Sequence, residues 1–164
     1  MKDHPLPLVS LRPLAEGDLP YLSLWLEEGW QDGVFLGEKP TPEAAQNLLL
    51  TALLTQDIYL AILSPQQRFL GMIGLKDVQE TQGEFFISLL RAYQGQGYAL
   101  AAGKRFLSWL KVAYPNICSI HMFTFQENEK TIRYNLRMGF TPTKDRGETV
   151  AGRPICRFTY TLRD

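Results

Sequence analysis

The sequence predicts an α+β (mixed α/β) fold, a single domain over residues 1–164 with a central twisted mixed sheet of six to seven strands and about four helices. Three observations carry this. Three β-prone runs, Ile58–Leu63, Phe69–Val78 and Glu84–Leu90, follow one another through short polar turns, which reads as a meander. A strand at Gly83–Leu90, a glycine-bearing turn, a helix at Tyr98–Ala113 and a strand at Ile117–Phe125 form a β-α-β unit, whose strands run parallel. At 164 residues, 45% hydrophobic and 12% aromatic, the chain has material for one real core.

In chain order, Leu8–Leu14 alternates as a first strand. Asp18 is a candidate N-cap with Pro20 in the first turn, and the helix runs to about Glu28, turning Leu19, Leu22, Trp25 and Leu26 inward. Gly29–Pro40 reads as a loop rich in glycine and aromatics. Thr41-Pro42-Glu43 opens a second helix to about Leu54 by the same cap-and-proline logic. The meander follows, then the helix of the β-α-β unit, which Pro115-Asn116 ends. After the Ile117–Phe125 strand, Glu127–Glu129 opens a last helix with Ile132, Leu136 and Met138 on its apolar side, and Gly139 stops it. Thr141–Arg146 and Pro154–Leu162 close as strands around a turn at Gly147–Gly152. No repeat, linker or low-complexity tract interrupts the order β-α-α-β-β-β-α-β-α-β-β.

Composition narrows the function. Lys plus Arg is 17 and Asp plus Glu is 17, which gives no electrostatic case for nucleic acid or an anionic membrane. No apolar run is long enough to span a bilayer, and the first residues lack a signal-peptide core. Cys118 and Cys156 lack metal-type spacing and read as buried thiols rather than a disulfide, which suits a cytoplasmic location. His4 and His121 are the only histidines, one in the N-terminal tail and one in a central strand with a structural reading. No metal site is expected, and a Ser-His-Asp hydrolase has too little to draw on.

The chemistry concentrates at Gln94-Gly95-Gln96-Gly97-Tyr98-Ala99. A strand, a glycine turn and a helix N-terminus make an anion site, since the first helical N–H groups point outward and the peptide dipoles add positive charge. The dinucleotide fingerprint fails because Leu100 stands where its third glycine belongs, and the Walker spacing fails at Gly103-Lys104. The pattern Gln/Arg-x-x-Gly-x-Gly/Ala is filled by Gln94, Gly97 and Ala99. A tight turn with no ligand is the bland alternative for this hexapeptide alone.

With these residues, with Asn128 followed by a helix and then Gly139-Phe140, and with this element order, the chain resembles the GNAT superfamily of acetyl-CoA-dependent N-acetyltransferases along nearly its whole length. The opening SLRPLAEGDL, Glu84-Phe85 and Gly152–Pro154 are similar to the branch of ribosomal-protein N-terminal and spermidine acetyltransferases. The resemblance implies parallel strands splayed at the motif and acetyl-CoA as co-substrate. The pyrophosphate would lie on the Gln94–Ala99 amides and the pantetheine on the backbone of Leu89 and Leu90, which polarises the acetyl carbonyl. Plain core leucines are compatible with that role, because side chain and backbone act separately.

Asn128 matches the family's cofactor-contacting asparagine, and a helix N-cap is its equal alternative. Asn135 stands where many members carry a tyrosine acid, and Tyr134, one step earlier, is about 100° round the helix. Asn135 can donate a hydrogen bond to sulfur but cannot usefully give up a proton, so water serves as the acid. Glu84 is the candidate base, against a cross-strand ion pair. Trp30 and Phe35 are expected to line the acceptor cleft, against a core role. The expected function is transfer of an acetyl group to a primary amine on a peptide N-terminus, polyamine or other small molecule, with a homodimer permitted. A longer acyl-CoA and a catalytically silent acyl-CoA-binding module are the rival readings.

Overall fold

The computed structural model describes residues 5–144 and 146–163. His4 lies outside the described residues, as does Asp145 of the expected 141–146 strand. The strands are β1 (Ser10–Pro13), β2 (Ile58–Leu63), β3 (Phe69–Gln79), β4 (Gln82–Leu89), β5 (Ser119–Phe125), β6 (Thr141–Pro142), β7 (Thr149–Val150) and β8 (Arg153–Thr161). The helices are α1 (Leu19–Gln31), α2 (Ala44–Leu54), α3 (Tyr98–Ala113) and α4 (Glu129–Met138). The sheet order is β1-β2-β3-β4-β5-β8-β6, with β7 on β8. Among the described residues, only β4 and β5 pair in parallel. The eighth strand, β7, falls inside the expected turn, where Ala151 and Gly152 at φ 52° and 75° close a tight hairpin with β8.

Two apolar clusters fill the two faces of the sheet. Leu70, Ile73, Leu75, Phe85, Phe106, Leu110, Ile120, Met138 and Phe158 join α3 and α4 to one face. Leu22, Trp25, Leu49, Tyr59, Met72 and Leu90 join α1 and α2 to the other. Alternation along β4 sends Phe85 and Leu89 to the first cluster and Phe86 to the second. Phe85 and Phe106 are buried almost completely, and each such side chain stabilises the fold by about 1.5–3 kcal/mol.

Several expectations are corrected. Asp18 does not cap α1. Its buried carboxylate accepts from the Ala15 N–H (2.9 Å) and from both guanidinium nitrogens of Arg12 (2.7 and 2.8 Å), which holds the 3-10 turn Glu16–Asp18 ahead of the helix. Helix α1 runs through Gly29 to Gln31, and the loop after it folds back over Gly29, where a Cβ would lie 2.1 Å from the Phe35 ring. Helix α2 starts at Ala44 rather than Thr41, since Thr41–Ala44 first makes a tighter turn with the Ala44 N–H on Thr41 O (3.1 Å). Strand β6 is two residues long, and its Pro142 has no N–H to extend the ladder. On α4 it is Asn135 that is buried, while Leu136 is half exposed. Cys118 and Cys156 are not joined in a disulfide and are half-buried.

Candidate active site

The site is built where the sheet comes apart. The β4/β5 ladder has three rungs, Gln82–Ser119, Gly83–Ile120 and Glu84–His121. Beyond Glu84 the two strands continue without pairing to each other, β4 against β3 and β5 against β8. At the open end, the Leu90 N–H donates to Leu70 O on the β3 side (2.8 Å). Neighbouring residues of a strand point their N–H groups to opposite edges, so the Leu89 N–H faces the gap toward β5. The Leu89 carbonyl is held by the Gln94 side-chain amide (3.1 Å), and the Ser88 carbonyl by the Trp25 indole N–H (2.8 Å). A Cβ on Gly71 would lie 2.3 Å from Ser88 O and 2.7 Å from Leu89 Cα, so glycine there lets β3 press against this end of β4.

The chain turns from β4 through a 3-10 turn at Arg91–Tyr93 into the glycine loop. Gly95 and Gly97 have φ of 75° and 87°, a region that suits glycine. A Cβ on Gly95 would meet nothing within 4 Å, so the loop lies open at that point. Gly97 is the N-cap of α3 and provides no capping side chain, which leaves the first N–H groups of α3 for a ligand. Gln96 is turned back onto Ala92 O (3.1 Å) and Gln94 onto Leu89, so the side chains of the loop brace its own backbone. Tyr98 and Ala99 are partly buried on the α3 cluster. These features fit a pyrophosphate lying along the loop backbone and a pantetheine lying in the fork.

Helix α4 closes over α3. Asn128 caps it, its Oδ1 accepting from the Thr131 N–H (3.2 Å). The Tyr134 hydroxyl donates to Ala99 O (2.8 Å) and sits 2.5 Å from where a Cβ on Gly103 would be. Burial pushes its phenol pKa far above the ordinary tyrosine range. Asn135 is 0% exposed, and both polar atoms of its side chain lack a hydrogen-bond partner. A buried amide left so is costly, about 1–3 kcal/mol in proteins, unless something else satisfies it. Gly139 ends α4 at φ 94° and sends Phe140 between the rings of Phe85 and Tyr160.

Glu84 stands at the last rung of the fork, beside His121 on β5 and opposite Lys76 on β3, half-buried. It is five residues from Leu89, about 16 Å along the strand. Trp30 donates from its indole to Gly37 O (3.1 Å), and Phe35 packs on Trp25 with ring centroids 4.5 Å apart. Arg91, at the start of the cofactor loop, gives its N–H to Glu28 (2.8 Å) and its guanidinium to Asp32 (2.9 Å). The fold therefore gathers Leu89, Leu90 and Gln94–Ala99 in one place, with Glu84 at the far end of the same strand. Three residues that sequence reasoning left without a site role, Trp25, Ser88 and Tyr134, make hydrogen bonds to this frame; only the inward-facing position of Trp25 signalled one of them. Among the described residues, no three His, Cys, Asp or Glu side chains gather as metal ligands.

The acetyltransferase (GNAT) domain model matches residues 9–141. The chain belongs to the GNAT acetyltransferase family. The GNAT domain thus takes in the fork, the glycine loop and α4, and membership makes the chain an acetyl-CoA-dependent N-acetyltransferase acting on an amine. Among solved structures it is similar to spermidine N-acetyltransferase from Vibrio cholerae in complex with CoA and spermine, with a TM-score of 0.82, 18% identity and coverage of 94% of this chain and 95% of that one. It is also similar to spermidine/spermine N-acetyltransferase SpeG from Vibrio cholerae in complex with manganese ions, at a TM-score of 0.75, 18% identity and coverage of 94% and 92%. At these identities the likeness is one of fold. Among curated proteins there is no match.

Proposed function

We propose that this GNAT enzyme transfers the acetyl group to a primary amine of a polyamine-like acceptor, with the pantetheine of acetyl-CoA in the β4/β5 fork. The observation that carries this reading is the free edge of β4 past Glu84, with the Leu89 N–H directed into the gap. Acetyl-CoA supplies the activated acyl group. The backbone of Gln94–Ala99 holds the pyrophosphate, Leu90 and Leu89 line the pantetheine, and the Leu89 N–H stabilises negative charge on the acyl oxygen. The Asn135 amide, buried and unpaired, gives a hydrogen bond near the sulfur, and water supplies the proton for the thiolate. Asn128 keeps its capping bond and orders the start of α4.

An aliphatic amine with a pKa near 10 is almost wholly protonated at pH 7, so its proton must leave before attack. Glu84 takes it through a relay of water. The acceptor class rests on charge. Asp57, Asp77 and His121 line a cleft of about 640 Å³ beside the Glu84 rung. Burial first, then the charges of Asp57 and Asp77, push the nearby Tyr59 hydroxyl up to about 12. A multivalent cation can answer those carboxylates with its ammonium groups. Trp30 and Phe35 shape the α1–α2 loop that borders the acceptor's approach. Cysteines that are not joined in a disulfide suit a reducing, cytoplasmic setting, and a homodimer completes the reading.

The test is thiol release from acetyl-CoA with spermidine, spermine, a neutral N-terminal peptide and an aminoglycoside. Polyamines should give the highest kcat/KM; equal rates on the neutral peptide would overturn the acceptor class. Glu84→Gln keeps the shape and removes the charge, and should lower kcat by about 10²–10⁴-fold. Should the parent's rise in rate with pH survive unchanged in Glu84→Gln, the carboxylate is structural.

A further inference from the structure

The end of β4 is held by side chains that reach it from two directions. On one side, Gln94 donates to the Leu89 carbonyl. On the other, Trp25, only 4% exposed, donates its indole N–H to the Ser88 carbonyl from a helix 63 residues away in sequence. The peptide joining Ser88 to Leu89 is planar, and its C=O and N–H point in opposite directions. Whatever fixes the Ser88 carbonyl therefore fixes the Leu89 N–H, which faces the fork.

We propose that Trp25 is a positioning residue for acetyl transfer: its bond to Ser88 O sets the plane of the Ser88–Leu89 peptide and so aims the Leu89 N–H at the acyl oxygen. This rests on the reading of the Leu89 N–H as the donor to that oxygen. Two physical effects act together. The first is orientation, since a donor held in place before reaction avoids reorganising as charge develops. The second is polarisation, since a hydrogen bond to the carbonyl of a peptide strengthens its N–H as a donor by roughly 10–30%. Trp25 is in turn held by the Phe35 ring, and Phe35 occupies the space above Gly29. The indole thus joins the α1–α2 loop to the peptide that meets the acyl group.

The experiment uses Trp25→Phe, which keeps a ring against Phe35 and removes the N–H donor together with part of the indole. A second variant places β-(3-benzothienyl)alanine at position 25, where sulfur replaces N–H at nearly constant shape, and it stands in if Trp25→Phe does not fold. Three readouts are taken: CoA affinity by calorimetry, kcat and KM with spermidine, and the ¹³C shift of acetyl-CoA labelled at the carbonyl and bound to the protein. The expected result is unchanged CoA affinity, about tenfold lower kcat at unchanged KM, and a carbonyl shift moved toward that of free acetyl-CoA. Turnover within twofold of the parent overturns the inference, and so does a fall in kcat with the bound carbonyl shift unmoved, which would mean loss through packing. A parent that fails to bind acetyl-CoA sinks the acetyl-transfer reading itself. A parent that binds and transfers, beside a variant that does so equally well, sinks only the role of Trp25.

Discussion

The hydroxyl of Tyr134 on α4 donates to the carbonyl of Ala99 in the first turn of α3, 2.8 Å away. The bond ties the helix that carries Asn135 to the helix whose N-terminus faces the phosphates. Tyr134→Phe should cost about 0.5–1.5 kcal/mol of stability and weaken CoA binding a few-fold, measured by urea unfolding and calorimetry. The buried phenol has a raised pKa when folded and titrates near pH 10 when unfolded. The unfolded chain therefore loses its proton first, and stability falls as pH rises above about 10. The parent's loss of stability between pH 9 and 11 should be smaller in Tyr134→Phe.

Asn135 sets stability against activity. Its side chain has no partner in the ligand-free protein, so Asn135→Leu, of similar volume, should raise the stability of that state by about 1–3 kcal/mol. The same change removes the hydrogen bond assigned to the sulfur and should reduce kcat by roughly tenfold or less. Thermal melts and turnover on one preparation check both signs; a thousandfold loss with CoA affinity intact would give Asn135 a larger part in the chemistry.

Gly97→Glu should abolish measurable CoA binding in a folded protein. The residue sits at φ 87°, where a side chain costs about 1–2 kcal/mol, and the new carboxylate would stand at the helix end meant for phosphates. Calorimetry with CoA, beside a circular dichroism melt, separates lost binding from lost fold.

The Arg12–Asp18 pair should act at the acid end of the pH range. Burial alone would raise the Asp18 carboxyl, but the Arg12 bond, the Ala15 N–H and the Arg12 charge together bring it below the usual carboxylate value. With the folded pKa depressed, the stability it contributes is present above the unfolded pKa near 3.9 and is lost as pH falls through the folded value. Asp18→Asn should lower stability by about 1–3 kcal/mol at pH 7, and the gap to the parent should narrow in melts at pH 3.

Much of this was legible in local pattern. Alternation gave the meander, the helical period gave α1 and α3, and the two glycines at 95 and 97 marked the turn that both take with positive φ. The burial of Asn135 in place of Leu136 ran against the apolar pattern of α4, because tertiary packing chose the face. Asp18 looked like a helix cap, since nothing nearby announces that Arg12 will take its carboxylate. The bonds Trp25–Ser88 and Tyr134–Ala99 join residues 63 and 35 positions apart, and such contacts leave no periodic trace. The β4/β5 ladder was expected from the β-α-β unit, but its length of three rungs depends on how the sheet twists.

The fork has a consequence for the life of the protein before it meets its cofactor. Past the third rung, β4 presents an unpaired strand edge inside the sheet, the kind of surface on which another chain can add a strand. In the ligand-free state α3 and α4, packed on one face of the sheet, are its guard. A pantetheine lying there takes the place of the missing strand and removes the template. Acetyl-CoA is then a solubility factor as well as a reactant, and freshly made chain should aggregate more slowly on warming when CoA is present, including in a variant that cannot turn over.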